Sequence, residues 1–189
     1  MARVPYAQID QAPEKIKAFF AKLASNSRVL NVQKLVANSP GAVREFTRFG
    51  NALLMKSKLS SYFRELAIIR VSFLIGSRYE WAQHVPIALS AGVSKEQLEE
   101  INNWQDSSLF KEEDRVILKF TDEVVQDHQP SETTFNQAAK FLDPESLVEL
   151  TLSIGYWSLV AKFLRTFQVE IEESLLKDIG HLLPSSQPV

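Results

Sequence analysis

The chain of 189 residues contains no cysteine and only six glycines. Without a thiol it forms no disulfide, no thiolate metal site and no thiol nucleophile. The net charge is also small, at -2, and no basic stripe is present, so nucleic acid is not an expected partner. What the chain does contain is an ordinary share of hydrophobic residues, 45%, with 23% charged, as in a globular protein with its own core.

Long apolar runs are scarce too. The longest one, from Leu66 to Ile75, is interrupted by Arg70 and Ser72 and is too short to span a bilayer. The first residues, Met-Ala-Arg-Val-Pro-Tyr, lack the apolar core of a signal peptide. We therefore expect a cytoplasmic protein that has no membrane partner.

Apolar residues recur mostly at three- and four-residue spacing, which is the helical period and predicts about eight helices with little or no sheet. The segment from about Ser60 to Ile75 is apolar on nearly all sides. We therefore expect an all-α bundle with a buried central helix that ends at Gly76. The next helix is expected from about Tyr79 to Ala91.

Two dipeptides mark the starts of other helices. Ser39-Pro40 predicts an N-cap with proline at the first helical position, opening a helix that runs to about Met55. Asp143-Pro144 opens a last long helix in the same way. That helix is expected to reach about Glu173, with Gly155 as a point where it could break.

The domain organisation follows from these segments. We expect an N-terminal helical arm over residues 1–38, the main helical domain over residues 39–176 and a flexible tail over residues 177–189. His128, in an apparent turn, and His181, in the tail, are expected to be solvent residues and not ligands.

Glu80 and His84 are the pair most suited to chemistry. Their four-residue spacing places both side chains on one face of a helix. A carboxylate beside an imidazole can fix its tautomer and raise its basicity, which is the arrangement of an acid–base pair. The same spacing also occurs in ordinary surface pairs worth only about 0.2–0.5 kcal/mol, and spacing alone favours that interpretation.

Glu65 is the second candidate, because it lies in the central helix, where an unpaired carboxylate would be costly. Arg64 and Arg70 are near in sequence, so an internal salt bridge and a role in a site are both compatible with this position. Together with Glu80 and His84 it could also bind a metal. E-x-x-x-H is weaker evidence than H-E-x-x-H, however, so we expect neither a metal nor a cofactor.

Five stretches carry a resemblance to a known family. They are LSSYFRELAIIRV (59–71), GSRYEWAQHVPIA (76–88), AGVSKEQL (91–98), FTDEV (120–124) and ELTLSIGYW (149–157). They resemble the carboxymuconolactone decarboxylase family, which includes the alkylhydroperoxidase D-like proteins. The resemblance covers roughly residues 35 to 172, and its block E-W-x-x-H-x-x-x-A is fairly specific for the family.

The resemblance implies an alkylhydroperoxidase D-like helical bundle that assembles as a trimer or hexamer, with its site near subunit contacts. In the redox branch a C-x-x-C pair opens the motif helix; Ser77 occupies the first cysteine position and Glu80 the second. Tyr79 stands where that branch often has histidine. His84 keeps the family's histidine, and Glu65 matches its upstream glutamate.

Thiol peroxidase chemistry requires a thiolate, which neither serine nor glutamate replaces. The chain is therefore similar to the decarboxylase branch, which lacks the cysteine pair. The resemblance implies an acid–base enzyme acting on a small carboxylated or lactone compound. Its catalytic candidates are Glu65, Glu80 and His84. Arg70 is a candidate for binding a substrate carboxylate, and Ser77 and Tyr79 are candidates for other substrate contacts.

Two other functions stay open. The protein could be a relative of the peroxide-defence group that lost thiol activity and acts as a binding or accessory protein. It could also be a purely structural oligomer in which Glu80 and His84 are a packing pair. A cavity that contains Glu65, Glu80 and His84 would favour the enzyme over the structural module.

Overall fold

The computed structural model describes residues 2–26, 29–179 and 182. Within them the chain forms ten α-helices and two short 3₁₀ turns, and no strand, so the all-α prediction is confirmed. The helices are α1 (Glu14–Asn26), α2 (Asn31–Val36), α3 (Val43–Met55), α4 (Ser61–Ile75), α5 (Arg78–Ser90), α6 (Lys95–Glu99), α7 (Glu112–Gln126), α8 (Glu132–Ala138), α9 (Pro144–Phe167) and α10 (Glu173–Ile179).

The central helix α4 packs against α5, α7 and α9, and all of its residues from Arg64 to Phe73 are buried. Ser60 caps its start by accepting a hydrogen bond from the backbone N–H of Phe63. Gly76 ends it in the left-handed conformation, with φ of 73°, which glycine adopts without strain. Each large apolar side chain buried on α4 stabilises the fold by about 1.5–3 kcal/mol, which holds the helix rigidly inside the bundle.

The long helix α9 runs without interruption through Gly155, so the break that was possible at this glycine does not occur. Asp143 caps its start at the backbone N–H of Ser146, as the sequence indicated. Packing of α9 along α4 outweighs the roughly 1 kcal/mol by which a glycine weakens a helix. The helix ends at Phe167, before Gln168 with φ of 52°, and not near Glu173 as predicted.

By length and composition alone, α9 could cross a membrane. Its most apolar stretch has a mean hydropathy of 1.3, and 44% of that stretch is buried within the fold. The core helix of a globular protein meets the same criterion, so this property is weak evidence for a membrane span.

The start of α3 also differs from the prediction. Ser39 and Pro40 lie in a turn, and the helix begins only at Val43. The carbonyl of Ser39 accepts hydrogen bonds from the N–H groups of Ala42 and Val43, so the turn itself satisfies these donors and the Ser39 side chain does not cap the helix.

The two ends of the chain pack together near the carboxyl end of α9. Apolar residues of α1 and α2, among them Phe20 and Leu35, form one cluster with Val160 and Leu164 of α9. Residues 177–179 of the predicted tail belong to α10. The carbonyl of Leu182 accepts a hydrogen bond from the indole of Trp81. The rest of that tail, His181 included, lies outside the described residues.

Candidate active site

His84 on α5 and Glu65 on α4 are brought together by the packing of these two helices. His84 Nδ1 lies 2.8 Å from Glu65 Oε2, and both side chains are buried. The other oxygen of Glu65 accepts a hydrogen bond from Arg64 Nε, 3.3 Å away. Glu65 therefore forms an internal ion pair with Arg64 while its second oxygen contacts the imidazole.

The second imidazole nitrogen faces Trp157 on α9. Trp157 Nε1 lies 2.7 Å from His84 Nε2, and the two rings meet edge to face with their centroids 5.3 Å apart. An indole N–H can only donate, so Nε2 accepts and the imidazole proton lies on Nδ1, from which it is donated to Glu65. These two contacts hold the His84 ring in one tautomer and one orientation.

Glu80 approaches the same ring from within α5. Its Oε2 lies 3.6 Å from His84 Nε2, is buried and has no hydrogen-bond partner among the described residues. One turn earlier, the Ser77 hydroxyl caps α5 by accepting from the backbone N–H of Glu80, 3.4 Å away. Buried polar atoms without partners are rare and costly. The free oxygen of Glu80 therefore marks a point where a bound molecule or a proton would gain a contact.

Burial raises the pKa of Glu80 to about 7; the nearby imidazole of His84 opposes that rise and Glu65 adds to it. Burial disfavours the charged form of His84, but the Glu65 and Glu80 carboxylates outweigh it and leave the pKa of His84 above its ordinary value. The carboxyl of Glu80 thus exchanges its proton near neutral pH beside an imidazole, which is the property that a general acid or base needs.

A cavity of about 110 Å³ lies over Glu80 and His84. Apolar and aromatic residues of α2, α3 and α9 form most of its wall, and the polar side chains of Thr47, Asn51 and Gln83 add hydrogen-bonding groups. Glu65 does not line the cavity, because it lies behind the imidazole with 0% of its surface exposed. A molecule in the cavity would meet Glu80 and His84, while Glu65 acts on His84 from behind.

Tyr156 completes the wall, and the sequence reasoning missed it. Its hydroxyl donates to the carbonyl of Phe46, 2.9 Å away, and burial and then the nearby Glu80 raise its pKa, so the hydroxyl stays neutral. A Cβ at Gly50 would lie 2.6 Å from the Tyr156 hydroxyl, so the ring needs a glycine there. Trp157 was not predicted as a site residue either. In the sequence, the adjacent aromatic residues Tyr156 and Trp157 at the end of the stretch 149–157 could have indicated both wall residues.

Arg70 is not brought to this cavity. Its guanidinium makes two hydrogen bonds with Asp122 on α7, at 2.6 and 2.9 Å, and one with the carbonyl of Ile101 at 2.9 Å. Trp104 donates to the same carboxylate. Arg70 therefore secures α4 against α7, and the geometry does not place it to hold a substrate carboxylate in the cavity.

Ser77 and Tyr79 border a separate cavity of about 900 Å³, and only Tyr79 also borders the cavity over Glu80. The Tyr79 hydroxyl donates to Glu172, 2.7 Å away, and accepts from the backbone N–H of Val32. Burial and the Glu172 carboxylate raise the pKa of Tyr79. Tyr79 thus contributes a neutral wall to the candidate site, whereas Ser77 serves as the cap of α5.

The donor atoms of the site do not converge on one point. Glu65 lies at Nδ1 of His84 and Glu80 at Nε2, on the two sides of the ring. A metal site needs three or more donors around one position. Among the described residues no group of three or more His, Asp or Glu side chains has that arrangement. The two carboxyl groups therefore flank the imidazole on opposite sides, an arrangement that suits acid–base chemistry more than metal binding.

The fold and the site together define an all-helical protein with a buried glutamate–histidine–glutamate arrangement and no thiol. The model of the carboxymuconolactone decarboxylase family matches residues 40–123, which include all three of these side chains. Over these residues the chain is similar to that family, and it has none of the C-x-x-C cysteines of the family's redox branch. No curated protein matches the sequence significantly.

Three solved structures share the fold of this chain but less than a fifth of its sequence. An alkylhydroperoxidase AhpD core protein, peroxidase-related and uncharacterised, from Ralstonia eutropha JMP134 is 18% identical, with a TM-score of 0.77 over 92% of this chain and 94% of that one. A peroxidase-related protein from Silicibacter sp. TM1040 is 17% identical, with a TM-score of 0.78 over 92% and 93%. The debrominase Bmp8, solved with 2,3,4-tribromopyrrole, is 15% identical, with a TM-score of 0.75 over 95% and 96%. At these identities the likeness establishes the fold alone, and it confirms the predicted alkylhydroperoxidase D-like bundle.

Proposed function

We propose that the protein is a non-thiol acid–base enzyme that acts on a small uncharged carbonyl compound, with a lactone as the best-fitting class. The observation that carries this proposal is the unpartnered Oε2 of Glu80 beside the imidazole of His84 at the floor of a cavity. In a purely structural module that oxygen would be expected to have a hydrogen-bond partner.

Glu80 is the proposed acid and base. Its pKa of about 7 lets the carboxylate remove a proton from the carbon next to a carbonyl and then return a proton to another carbon of the substrate. When His84 is in its imidazolium form, its positive charge would stabilise the negative oxygen formed in between. Glu65 is a positioning residue, because it touches His84 and not the cavity.

The charge of the cavity supports an uncharged substrate over a carboxylated one. None of the described residues that line it is a lysine or arginine, and Glu80 is itself an acid. A substrate carboxylate would lie near the Glu80 carboxyl group with no lysine or arginine to pair with, which costs several kcal/mol in a buried site.

The test uses α-angelica lactone, an uncharged β,γ-unsaturated lactone, in ²H₂O. Proton NMR would follow deuterium uptake next to the carbonyl and the shift of the double bond, against the reaction without protein. We expect Glu80→Gln and His84→Ala each to lower the rate by about 10²- to 10⁴-fold. The exposed carboxylate of Glu99 supplies the control variant Glu99→Gln. A rate that survives both site substitutions would refute the proposal.

A second candidate function is a binding or accessory protein that has lost thiol peroxidase activity. It is supported by Ser77 and Glu80, which occupy one turn at the start of α5 where the redox branch of the family has its cysteines. Peroxide reduction by the double variant Ser77→Cys/Glu80→Cys would favour this descent. Lactone binding by the natural chain without any proton exchange would favour it over the acid–base enzyme.

We also propose that the chain works in the cytoplasm as a homo-oligomer of three or six copies, which the family resemblance implies. Val148 and Leu152 on α9 support this, because 57% and 42% of their surfaces are exposed and apolar surface of this kind is often covered in an assembly. Light scattering on the purified protein tests the assembly, and a monomer at micromolar concentration would contradict it.

A further inference from the structure

A larger apolar groove lies beside the catalytic cavity. It has a volume of about 630 Å³ and is formed by the N-terminal segment, α2, α3 and the carboxyl half of α9. Phe46 on α3 lines both spaces. Its ring lies between Tyr156 of the cavity, with centroids 5.4 Å apart, and Phe163 of the groove, with centroids 6.4 Å apart.

The cavity over Glu80 and His84 is small and contains ionisable groups, whereas the groove is larger and apolar. The catalytic cavity, at about 110 Å³, is smaller than the roughly 150 Å³ cavity that holds one benzene molecule. It has room for a reacting group but not for a larger substrate. The groove carries no charged side chain among its described lining residues, and Leu159, Phe163 and Phe167 give it an apolar wall.

We propose that the groove binds the apolar substituent of the substrate whose reacting group enters the cavity over Glu80 and His84. The substrate class is then an uncharged lactone or related carbonyl compound that bears a hydrocarbon chain or an aromatic group. This inference rests on the proposed function, since it extends the substrate of the same site. Occupancy of both spaces requires the Phe46 ring to turn aside, and that ring is only partly buried.

Leu159 gives a direct way to test the groove. It lies in the groove wall on α9 with 55% of its surface exposed, so Leu159→Asp places a charge in the groove without burying it in the core. Leu89 on α5 is also exposed, at 39%, and lines none of the cavities described above. Leu89→Asp is therefore the matched control, with the same chemical change on another helix.

The experiment measures the affinities of γ-butyrolactone, γ-octalactone and γ-dodecalactone by isothermal titration calorimetry. For the natural chain and for Leu89→Asp we expect the affinity to rise by about two- to fourfold for each added methylene group. For Leu159→Asp we expect the ratio of the long-chain to the short-chain affinity to fall at least tenfold.

Equal affinities across the series in the natural chain would overturn the inference, and so would the same ratio in both variants. A change of oligomeric state in Leu159→Asp, with the affinity ratio unchanged, would identify the groove as an interface and overturn it as well. This experiment measures binding, so it separates the groove from the chemistry. If affinity rises with chain length but no proton exchange is found, the acid–base function is refuted and the groove is retained. If proton exchange is found but affinity does not depend on chain length, the groove is refuted and the acid–base function is retained.

Discussion

Glu80 combines burial, a free oxygen and a neighbouring imidazole, and each has a cause in the surrounding structure. Its position on the first turn of α5 directs the side chain inward to His84. Burial favours the neutral acid, whereas a carboxylate at the surface would be ionised at neutral pH. This residue therefore links the stability of the fold to pH as well as serving the proposed chemistry.

Glu80→Gln should change how stability depends on pH. The pKa of Glu80 is raised from 4.5 to about 7, so the folded state holds this proton more tightly than the unfolded state. Its stabilising effect is complete below about pH 4.5 and is lost as pH rises through about 7. Relative to the glutamine variant, the natural chain should lose about 3 kcal/mol across this range. Urea unfolding at several pH values measures this difference, and parallel curves for the two proteins would contradict it.

Trp157→Phe should raise the pKa of His84 further. The indole N–H stabilises the neutral imidazole by donating to Nε2, and its loss removes about 1 kcal/mol from that form. An NMR titration of the His84 ring measures the pKa. Trp104→Phe is the control, because that indole donates to Asp122 and not to the site. An equal or lower pKa in Trp157→Phe would show that the indole does not set the tautomer.

At the scale of the helices, α3 and α9 form the side of the cavity that faces α5. Their close approach depends on one glycine, because the Tyr156 ring of α9 lies against Gly50 of α3. The hydroxyl of the same ring is bonded to the α3 backbone at Phe46. The shape of the cavity wall is therefore sensitive to a single methyl group.

Gly50→Ala and Gly155→Ala should have opposite effects. At position 50 the new Cβ would lie 2.6 Å from the Tyr156 hydroxyl, so we expect a loss of about 1–3 kcal/mol in the free energy of unfolding. At position 155, in the middle of α9, a Cβ meets nothing within 4 Å, so alanine should stabilise the helix by about 0.4–1 kcal/mol. Urea unfolding compares both variants, and similar effects would contradict the steric argument.

At the scale of the whole molecule, Glu172 joins distant parts of the chain. Its carboxylate accepts hydrogen bonds from the backbone N–H of Asn31, from the Tyr79 hydroxyl and from the Gln83 amide, at 2.7, 2.7 and 2.6 Å. These bonds connect the segment after α9 to α2 and α5. They also stiffen one wall of the cavity over Glu80 and His84, because Tyr79 and Gln83 line it.

Glu172→Ala should therefore destabilise the entire fold. It leaves three donors without their acceptor in a buried place, which costs about 2–4 kcal/mol. Glu173→Ala removes a neighbouring exposed carboxylate and should change stability by less than about 0.5 kcal/mol. Chemical denaturation of both variants measures the difference. A loss of similar size in the two would mean that the hydrogen bonds of Glu172 do not hold the chain ends in place.

Much of the local structure could be read from the sequence, because helix ends depend on neighbouring residues. Ser60, Gly76 and Asp143 start and end their helices as predicted. Local preference did not decide the structure at two positions, where packing competed with it. The helix expected to begin after Ser39 begins only at Val43, and α9 continues through Gly155. The absence of a thiol was also fixed by composition alone, and it excludes thiol chemistry whatever the fold.

The site itself was determined only in part by the sequence. The spacing of Glu80 and His84 set them on one helical face, but spacing does not say what that face contacts. The tertiary structure placed Glu65 behind the imidazole and brought in Trp157, 73 residues away from His84, as the donor at Nε2. In the tertiary structure Arg70 is hydrogen-bonded to Asp122, away from the cavity. These contacts join separate helices, and no local pattern encodes them, because they depend on how whole helices pack.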